Sequence, residues 1–126
     1  MKLEVYREVQ FSSAHRLRNY HGKCENLHGH NWRVRLFVTR EHLDETGFVM
    51  DFKVLDAILK DIMEVLDHKD LNSLEEFSTV NPTAENIALL IFRLAQEKVF
   101  ERDKEVKVSK VCVWESDKSC AIVEAN

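Results

Sequence analysis

The segment from His28 to Val38 constrains the fold more than any other part of this sequence. Apolar residues occupy every second position from Trp32 to Val38, and most of the residues between them are polar. A period of two is typical of a β-strand with one buried face. His28 and His30 are in phase with the apolar positions, so the pattern predicts two imidazoles side by side on the buried side of a strand.

A third histidine follows another strand-like segment. Apolar residues of one parity precede it, namely Leu3, Val5, Val9 and Phe11, and His15 follows shortly after the last of them. Antiparallel pairing of the two strands would bring His15 beside His28 and His30. Three imidazole nitrogens with a fourth position left open form the ligand set of a catalytic Zn²⁺. The sequence therefore predicts a zinc site, and the alternative is three unrelated histidines that cap strands or meet solvent.

A thiol lies next to this predicted site. Cys24 precedes His28 by four positions, and residues 24–30 read Cys-Glu-Asn-Leu-His-Gly-His. Such a thiol can take part in chemistry at the metal. Alternatively, it can supply a fourth ligand and close a structural site, because structural zinc is commonly held by four Cys and His ligands. An enzyme and a non-catalytic zinc-binding module are thus both open, and the enzyme is favoured.

Length and composition limit the class of protein. A chain of 126 residues predicts one domain, 1–126, and its net charge of −4 argues against a generic nucleic-acid binder. We expect no membrane partner, because no apolar run approaches the roughly 18 residues of a membrane span. The start of the chain also lacks the apolar region of a signal peptide. Three cysteines, an odd number, favour a reducing, cytoplasmic location.

Two amphipathic helices are predicted between two pairs of strands. The first has the spacing of a buried helix stripe in Leu55, Ile58, Leu59, Ile62 and Leu66, and we expect Asp51 to cap its start. It should end near Asp67-His68. Residues 81–85 open the second helix, with Pro82 expected in its first turn, and its predicted buried stripe is Ile87, Leu90, Ile91 and Leu94.

A closing hairpin completes the predicted order of strand, strand, helix, helix, strand, strand. Its strands are residues 106–113 and 121–123, and its turn is 116–118. This order predicts an α+β fold, a four-stranded antiparallel sheet with both helices on one face. The turn would bring Cys112 and Cys120 across from each other, where two reduced thiols are favoured over a disulfide.

Six segments, in order along nearly the whole chain, resemble the 6-pyruvoyl-tetrahydropterin synthase superfamily. They are Phe11–His15, Cys24–His30, Gly47–Asp51, Leu66–Asn72, Pro82–Asn86 and Val113–Glu115. The three residues between Cys24 and His28 are similar to the branch that makes 6-carboxy-tetrahydropterin for queuosine. The resemblance implies the tunnelling fold, in which oligomerisation joins the sheets of several subunits into a barrel, usually as a trimer or a dimer of trimers.

The resemblance also implies a reaction. It is the zinc-dependent conversion of 7,8-dihydroneopterin triphosphate to 6-carboxy-5,6,7,8-tetrahydropterin by a lyase. The alternative products are 6-pyruvoyl-tetrahydropterin and, in a folate branch, 6-hydroxymethyl-dihydropterin. Glu25 follows Cys24 directly and could serve as the base in that folate branch, although a solvated loop glutamate is the favoured interpretation.

The same resemblance implies roles for individual residues. The metal ligands would be His15, His28 and His30, and the catalytic residues would be Cys24, Asp67 and His68. Glu115 would anchor the pterin, while Thr83 and Glu85 would line its pocket. Asp67 and His68 would face the zinc of a neighbouring subunit. A homo-oligomer is also expected on physical grounds, because a four-stranded sheet leaves two open edges that isolated domains rarely tolerate.

Overall fold

The helices and strands follow one another in the order that the sequence predicts. The computed structural model describes residues 1–126. Its main elements are β1 (Glu4–His15), β2 (His28–Thr39), α1 (Phe52–Leu66), α2 (Ala84–Arg102), β3 (Lys107–Ser116) and β4 (Ser119–Glu124). Short 3₁₀ turns occupy Lys23–Glu25, Leu71–Ser73 and Glu75–Phe77. None of the helices combines the length and the apolar character needed to span a membrane.

The sheet is antiparallel throughout, with the strand order β1-β2-β3-β4. β1 and β2 pair without interruption from Glu4 opposite Thr39 to His15 opposite His28. In this register His30 lies opposite Ser13, two residues before His15. The uninterrupted pairing therefore brings the three histidines to one end and one face of the sheet.

The core lies on the face that the alternating residues predict. Trp32, Val34, Leu36 and Val38 of β2 are completely buried. Residues of α1 and α2 belong to the same hydrophobic cluster, since α1 packs against β1 and α2 packs against β3 and β4. Burial of each such side chain contributes roughly 1.5–3 kcal/mol. The Trp32 indole N–H also donates to the Ser13 carbonyl at 3.1 Å, which ties β2 to β1 directly below the histidines.

The helix boundaries agree with the prediction except at Pro82. The Asp51 carboxylate accepts the Lys53 N–H at 2.8 Å, and α1 ends at Leu66 as expected. α2 begins at Ala84, after Thr83, whose hydroxyl accepts the Asn86 N–H at 3.1 Å. Pro82 therefore precedes the N-cap and is not in the first turn. The reason is that threonine is a good N-cap residue and takes the extended backbone conformation that this position requires.

The closing hairpin turns at residues 117–118, within the predicted turn, but the prediction that Cys112 and Cys120 face each other is wrong, because Ser116 lies opposite Ser119. Pairing is irregular between Trp114 and Ser116, so Glu115 has no partner on β4. Cys112 lies opposite Ile122 and Cys120 lies opposite Trp114. The two thiols are diagonal neighbours and do not face each other directly, and all three cysteines are free.

Candidate metal centre and substrate pocket

Four side chains converge at the end of the sheet. One ligand atom each from His15, His28, His30 and Glu115 lies within 4.8 Å of the corresponding atoms of the other three. The ring centroids of the three histidines are 4.6, 4.9 and 5.1 Å apart. The cluster has the residue types and the size to hold a metal ion.

Backbone carbonyls orient two of the rings. His15 Nδ1 lies 2.7 Å from the Pro82 carbonyl oxygen, and His28 Nδ1 lies 2.7 Å from that of Asn26. A histidine whose Nδ1 is fixed in this way presents Nε2 as its ligand atom. The Nε2 atoms of His15 and His30 are buried and have no hydrogen-bond partner. Unpaired buried nitrogens are uncommon in proteins, and a metal ion would satisfy both of these.

Burial controls the protonation of the two unpartnered rings. Removal from water lowers the pKa of His15, and the Pro82 carbonyl and Glu115 oppose this only in part. Burial lowers the pKa of His30 in the same way. A neutral imidazole is the form that binds a metal, so both rings are ready to act as ligands at neutral pH.

These pKa shifts predict how bound metal responds to acid. Protons and metal compete for the same nitrogens, and a lowered pKa keeps the nitrogens free of protons to a lower pH. We expect metal content to remain constant down to about pH 6, below the pKa of an ordinary histidine, and to fall on further acidification. Zinc measured by mass spectrometry after dialysis at a series of pH values checks this. Half-loss of zinc above pH 7 would contradict the prediction.

Glu115 lies at the bulge near the end of β3 and is one of the four clustered residues. Its Oε1 lies 3.0 Å from His30 Nε2 and 3.7 Å from His15 Nε2, without the geometry of a hydrogen bond to either nitrogen. Bulges commonly redirect a side chain near a functional site. The sequence places Glu115 at a strand end but does not predict its contact with the histidines. One feature of the sequence does indicate this contact. Glu115 lies two and four positions after the buried Val113 and Val111, so the three side chains share the inner face of the sheet.

A cleft opens beside this cluster. It has a volume of about 310 Å³ and is lined by Ala84, Glu85, Glu115, Ser119, Cys120, Ala121 and Ile122. Two of the predicted substrate-binding residues, Glu85 and Glu115, thus share one cleft, whereas Thr83 caps α2 and is not in its lining. A larger hollow of about 460 Å³, between the start of β1 and the start of β3, contains none of the predicted site residues.

Cys24 and Glu25 lie in the 3₁₀ turn before β2, outside the group of ligand atoms. Cys24 is partly buried, and its carbonyl accepts the Leu17 N–H at 2.7 Å. The Glu25 carboxylate accepts the His21 N–H at 2.9 Å, within the same loop. Since the Cys24 sulfur is not among the clustered atoms, the arrangement does not favour a closed Cys/His metal site.

Asp67 and His68 form a pair in the segment that follows α1 and is hydrogen-bonded along the outer edge of β1. The Asp67 carboxylate accepts the Ser12 N–H at 2.8 Å, and His68 Nδ1 lies 2.9 Å from its other oxygen. The bond from Ser12 and the contact with His68 lower the pKa of Asp67. The His68 ring is 83% exposed, has a backbone φ of 56°, and does not belong to the histidine cluster of its own chain.

Comparison with known proteins identifies the family. A family model described as 6-pyruvoyl tetrahydropterin synthase matches residues 4–126. The chain belongs to the 6-pyruvoyl tetrahydropterin synthase family. The predicted resemblance is thereby confirmed, and the chain is a pterin synthase of this family.

Several curated relatives match most of the chain. A 6-carboxy-5,6,7,8-tetrahydropterin synthase of Synechocystis is 39% identical, with 86% of each chain covered. The human 6-pyruvoyl tetrahydrobiopterin synthase is 34% identical, covering 85% of this chain and 90% of the relative. A dihydroneopterin monophosphate aldolase of Pyrococcus furiosus is 31% identical, with 93% of each covered.

Among solved structures, the 6-pyruvoyl tetrahydropterin synthase of Caenorhabditis elegans has the same fold. The two chains superpose with a TM-score of 0.86 at 24% identity, over 100% of this chain and 97% of the other. The likeness extends to the four-stranded antiparallel sheet and both helices. It confirms the four-stranded antiparallel sheet and the two helices predicted for this member of the 6-pyruvoyl tetrahydropterin synthase family.

Proposed function

We propose that this chain is a zinc-dependent 6-carboxy-5,6,7,8-tetrahydropterin synthase that acts on 7,8-dihydroneopterin triphosphate in cytoplasmic queuosine biosynthesis. The observation that carries the proposal is the inward-facing trio of histidines, two of them with unpartnered Nε2 atoms, beside a cleft that contains Glu115. The Synechocystis relative, 39% identical and named for this activity, supports the choice of product.

The metal ligands in this proposal are His15, His28 and His30. Bound zinc would supply Lewis acidity toward the oxygen atoms of the substrate side chain. The protein holds the rings in place through the Pro82 and Asn26 carbonyls, which fix the Nδ1 side of His15 and His28. This fixed orientation favours binding at Nε2.

Glu115 is the proposed pterin anchor. A pterin presents its 2-amino group beside a ring N–H, and a carboxylate can accept both donors as it accepts a guanidinium. Glu115 lies at the junction of the metal cluster and the cleft, so a pterin anchored there would direct its side chain toward the histidines. Glu85 lines the same cleft, and Thr83 contributes by fixing the start of α2 behind it.

The proton-transfer residues are proposed to be Cys24, Asp67 and His68. Cys24, as a thiolate, would remove and return protons on the side-chain carbons. The Asp67 carboxylate would hold the His68 ring in place, because His68 Nδ1 lies 2.9 Å from a carboxylate oxygen. His68 has a positive φ, which is unusual for a residue other than glycine. Such backbone conformations are often found at functional positions.

Product analysis tests the proposed reaction. Purified protein, loaded with zinc, is incubated with 7,8-dihydroneopterin triphosphate, and the pterins are separated and identified by mass spectrometry. We expect 6-carboxy-5,6,7,8-tetrahydropterin, and we expect a chelator to stop its formation and added zinc to restore it. Formation of 6-pyruvoyl-tetrahydropterin or 6-hydroxymethyl-dihydropterin as the sole product would overturn the assignment.

A second candidate function has one specific observation in its favour. The Pyrococcus relative is named as an aldolase and covers 93% of this chain. An aldolase reaction on the substrate side chain would release 6-hydroxymethyl-dihydropterin, with Glu25 as the base in place of Cys24. In this structure the Glu25 carboxylate accepts the His21 N–H, which favours a role in shaping the loop.

Each active site is proposed to be shared between two subunits. What supports this is the position of His68, which is exposed beside the outer strand β1 and is not part of its own chain's cluster. Edge-to-edge joining of subunits would cover β1 and β4, close a barrel, and bring His68 to a neighbour's metal. The expected assembly is a trimer or a dimer of trimers.

Complementation checks the shared site. We expect His28→Ala and His68→Ala to be inactive alone, because each removes one half of every site. After subunit exchange, mixed oligomers contain some sites with both halves intact, and activity should return to roughly a quarter of the wild-type value on statistical grounds. Exchange is followed by native mass spectrometry of the mixture. Demonstrated exchange with no recovered activity would show that His68 acts within its own chain or not at all.

A further inference from the structure

Two asparagine side chains hold the segment that follows His15. The Asn72 amide accepts the Arg16 N–H at 2.8 Å and donates to the Arg16 carbonyl at 3.0 Å. The Asn81 amide makes the same two bonds with Arg18, at 2.8 and 3.0 Å. Each side chain therefore imitates a paired residue of a neighbouring strand. We call these four hydrogen bonds the asparagine clamp.

The residue between the two clamped positions contacts Cys24. The Leu17 N–H donates to the Cys24 carbonyl at 2.7 Å. Successive amides of an extended segment are directed to opposite sides. The amides of Arg16 and Arg18 therefore bond to the asparagines, and the Leu17 amide bonds on the other side to the turn that contains Cys24. The clamp is thus linked to Cys24 through a single backbone hydrogen bond.

The clamp is also continuous with the metal centre. Asn81 is followed directly by Pro82, whose carbonyl orients His15. The Asn81 carbonyl is itself fixed by the Asn86 side chain at 2.9 Å, and the Arg18 guanidinium donates to the Val80 carbonyl at 3.1 Å. One short stretch of chain therefore supports both a proposed metal ligand and the proposed base.

We infer that Asn81, assisted by Asn72, is a positioning residue that sets Cys24 relative to the metal centre; this rests on the proposed function. The bonds of Asn81 are partly buried and those of Asn72 are exposed. Hydrogen bonds shielded from water are costlier to lose, so substitutions at Asn81 have the larger effect.

The test uses the zinc-loaded full chain and the substitution Asn81→Ala. Three quantities are measured: zinc content, kcat and KM with 7,8-dihydroneopterin triphosphate, and the iodoacetamide alkylation rate of each cysteine by peptide mass spectrometry. We expect unchanged zinc, because the Asn86 side chain still holds the Asn81 carbonyl next to Pro82. We expect a Cys24 alkylation rate several-fold above that of the wild type. We expect kcat to fall about 10- to 100-fold, because small misplacements of a catalytic group have effects of this size, with little change in KM.

Two further variants separate positioning from general destabilisation. Asn81→Asp keeps the acceptor for the Arg18 N–H and loses the donor, so its values should be intermediate. Gln96→Ala is the matched control, since the Gln96 amide oxygen accepts the Val108 N–H at 3.1 Å near the start of β3. It removes a similar amide-to-backbone bond at the opposite end of that strand from Glu115. Alkylation, zinc content and kcat should match the wild type.

An Asn81→Ala protein with full zinc, unchanged Cys24 alkylation and unchanged kcat would overturn the inference. If Asn81→Ala does not fold, Asn81→Asp and Asn72→Ala decide the matter by the same readouts, with smaller expected changes. If the wild type forms no pterin product, the proposed function fails. The alkylation rate of Cys24 still shows in that case whether the asparagine clamp controls its position.

Discussion

Replacing His28 with alanine should remove bound zinc and abolish turnover while leaving the sheet folded. The imidazole supplies one of three proposed ligands, and loss of a Lewis acid worth several kcal/mol lowers the rate roughly a thousandfold or more. The fold should survive because His28 is only partly buried and lies at the first position of β2, where pairing with β1 ends. Zinc content, kcat and the circular dichroism spectrum are the measurements.

His42→Ala is the matched control for this substitution. His42 is exposed in the loop after β2 and makes no contact with the cluster, so zinc and activity should remain at wild-type levels. Stoichiometric zinc and normal activity in His28→Ala would show that the ligand assignment is wrong. A loss of secondary structure would instead show that His28 is needed for the stability of the paired strands β1 and β2.

Replacing Cys24 with alanine should leave zinc bound and remove the 6-carboxy product. The sulfur lies outside the group of ligand atoms, so metal affinity should not change. Loss of a positioned proton-transfer group typically costs a factor of about 10² to 10⁴ in rate. The measurements are zinc content and product formation, and equal loss of metal and activity would place Cys24 among the ligands.

A companion substitution, Glu25→Ala, distinguishes the two candidate reactions. Under the principal proposal it should retain activity close to that of the wild type, because Glu25 serves only to shape the loop through the His21 N–H. Under the aldolase alternative, Cys24→Ala would still release 6-hydroxymethyl-dihydropterin and Glu25→Ala would not. The pair of variants thus assigns the base independently of the wild-type product.

Local patterns in the sequence were sufficient to predict the strands, the helices and the meeting of the three histidines. The alternation of side chains along a strand determines which face each residue occupies. His15, His28 and His30 are in phase with the buried apolar residues of their strands. Their meeting then required only antiparallel pairing, and the observed register sets His15 opposite His28. The cap at Asp51 and the end of α1 likewise depend on residues within one helical turn.

Features that depend on non-local pairing were not predictable in the same way. The bulge at Glu115 depends on how β3 meets β4, and the offset of Cys112 from Cys120 depends on the exact position of the turn, which sets Ser116 opposite Ser119. The hydrogen bonds of Asn72 and Asn81 join residues more than 50 positions apart, and no spacing rule indicates them. The proposed roles of Cys24, Asp67 and His68 came from family resemblance, because isolated side chains carry no periodic signal.

X-ray absorption at the zinc edge tests the three-histidine open site most directly. For the zinc-loaded protein we predict a first shell of nitrogen and oxygen only, at about 2.0–2.1 Å, with the multiple scattering of three imidazoles. Addition of 7,8-dihydroneopterin triphosphate should change the oxygen contribution and leave the imidazole contribution intact. A sulfur scatterer at about 2.3 Å would contradict the account, because Cys24 would then close a structural site with no position for substrate.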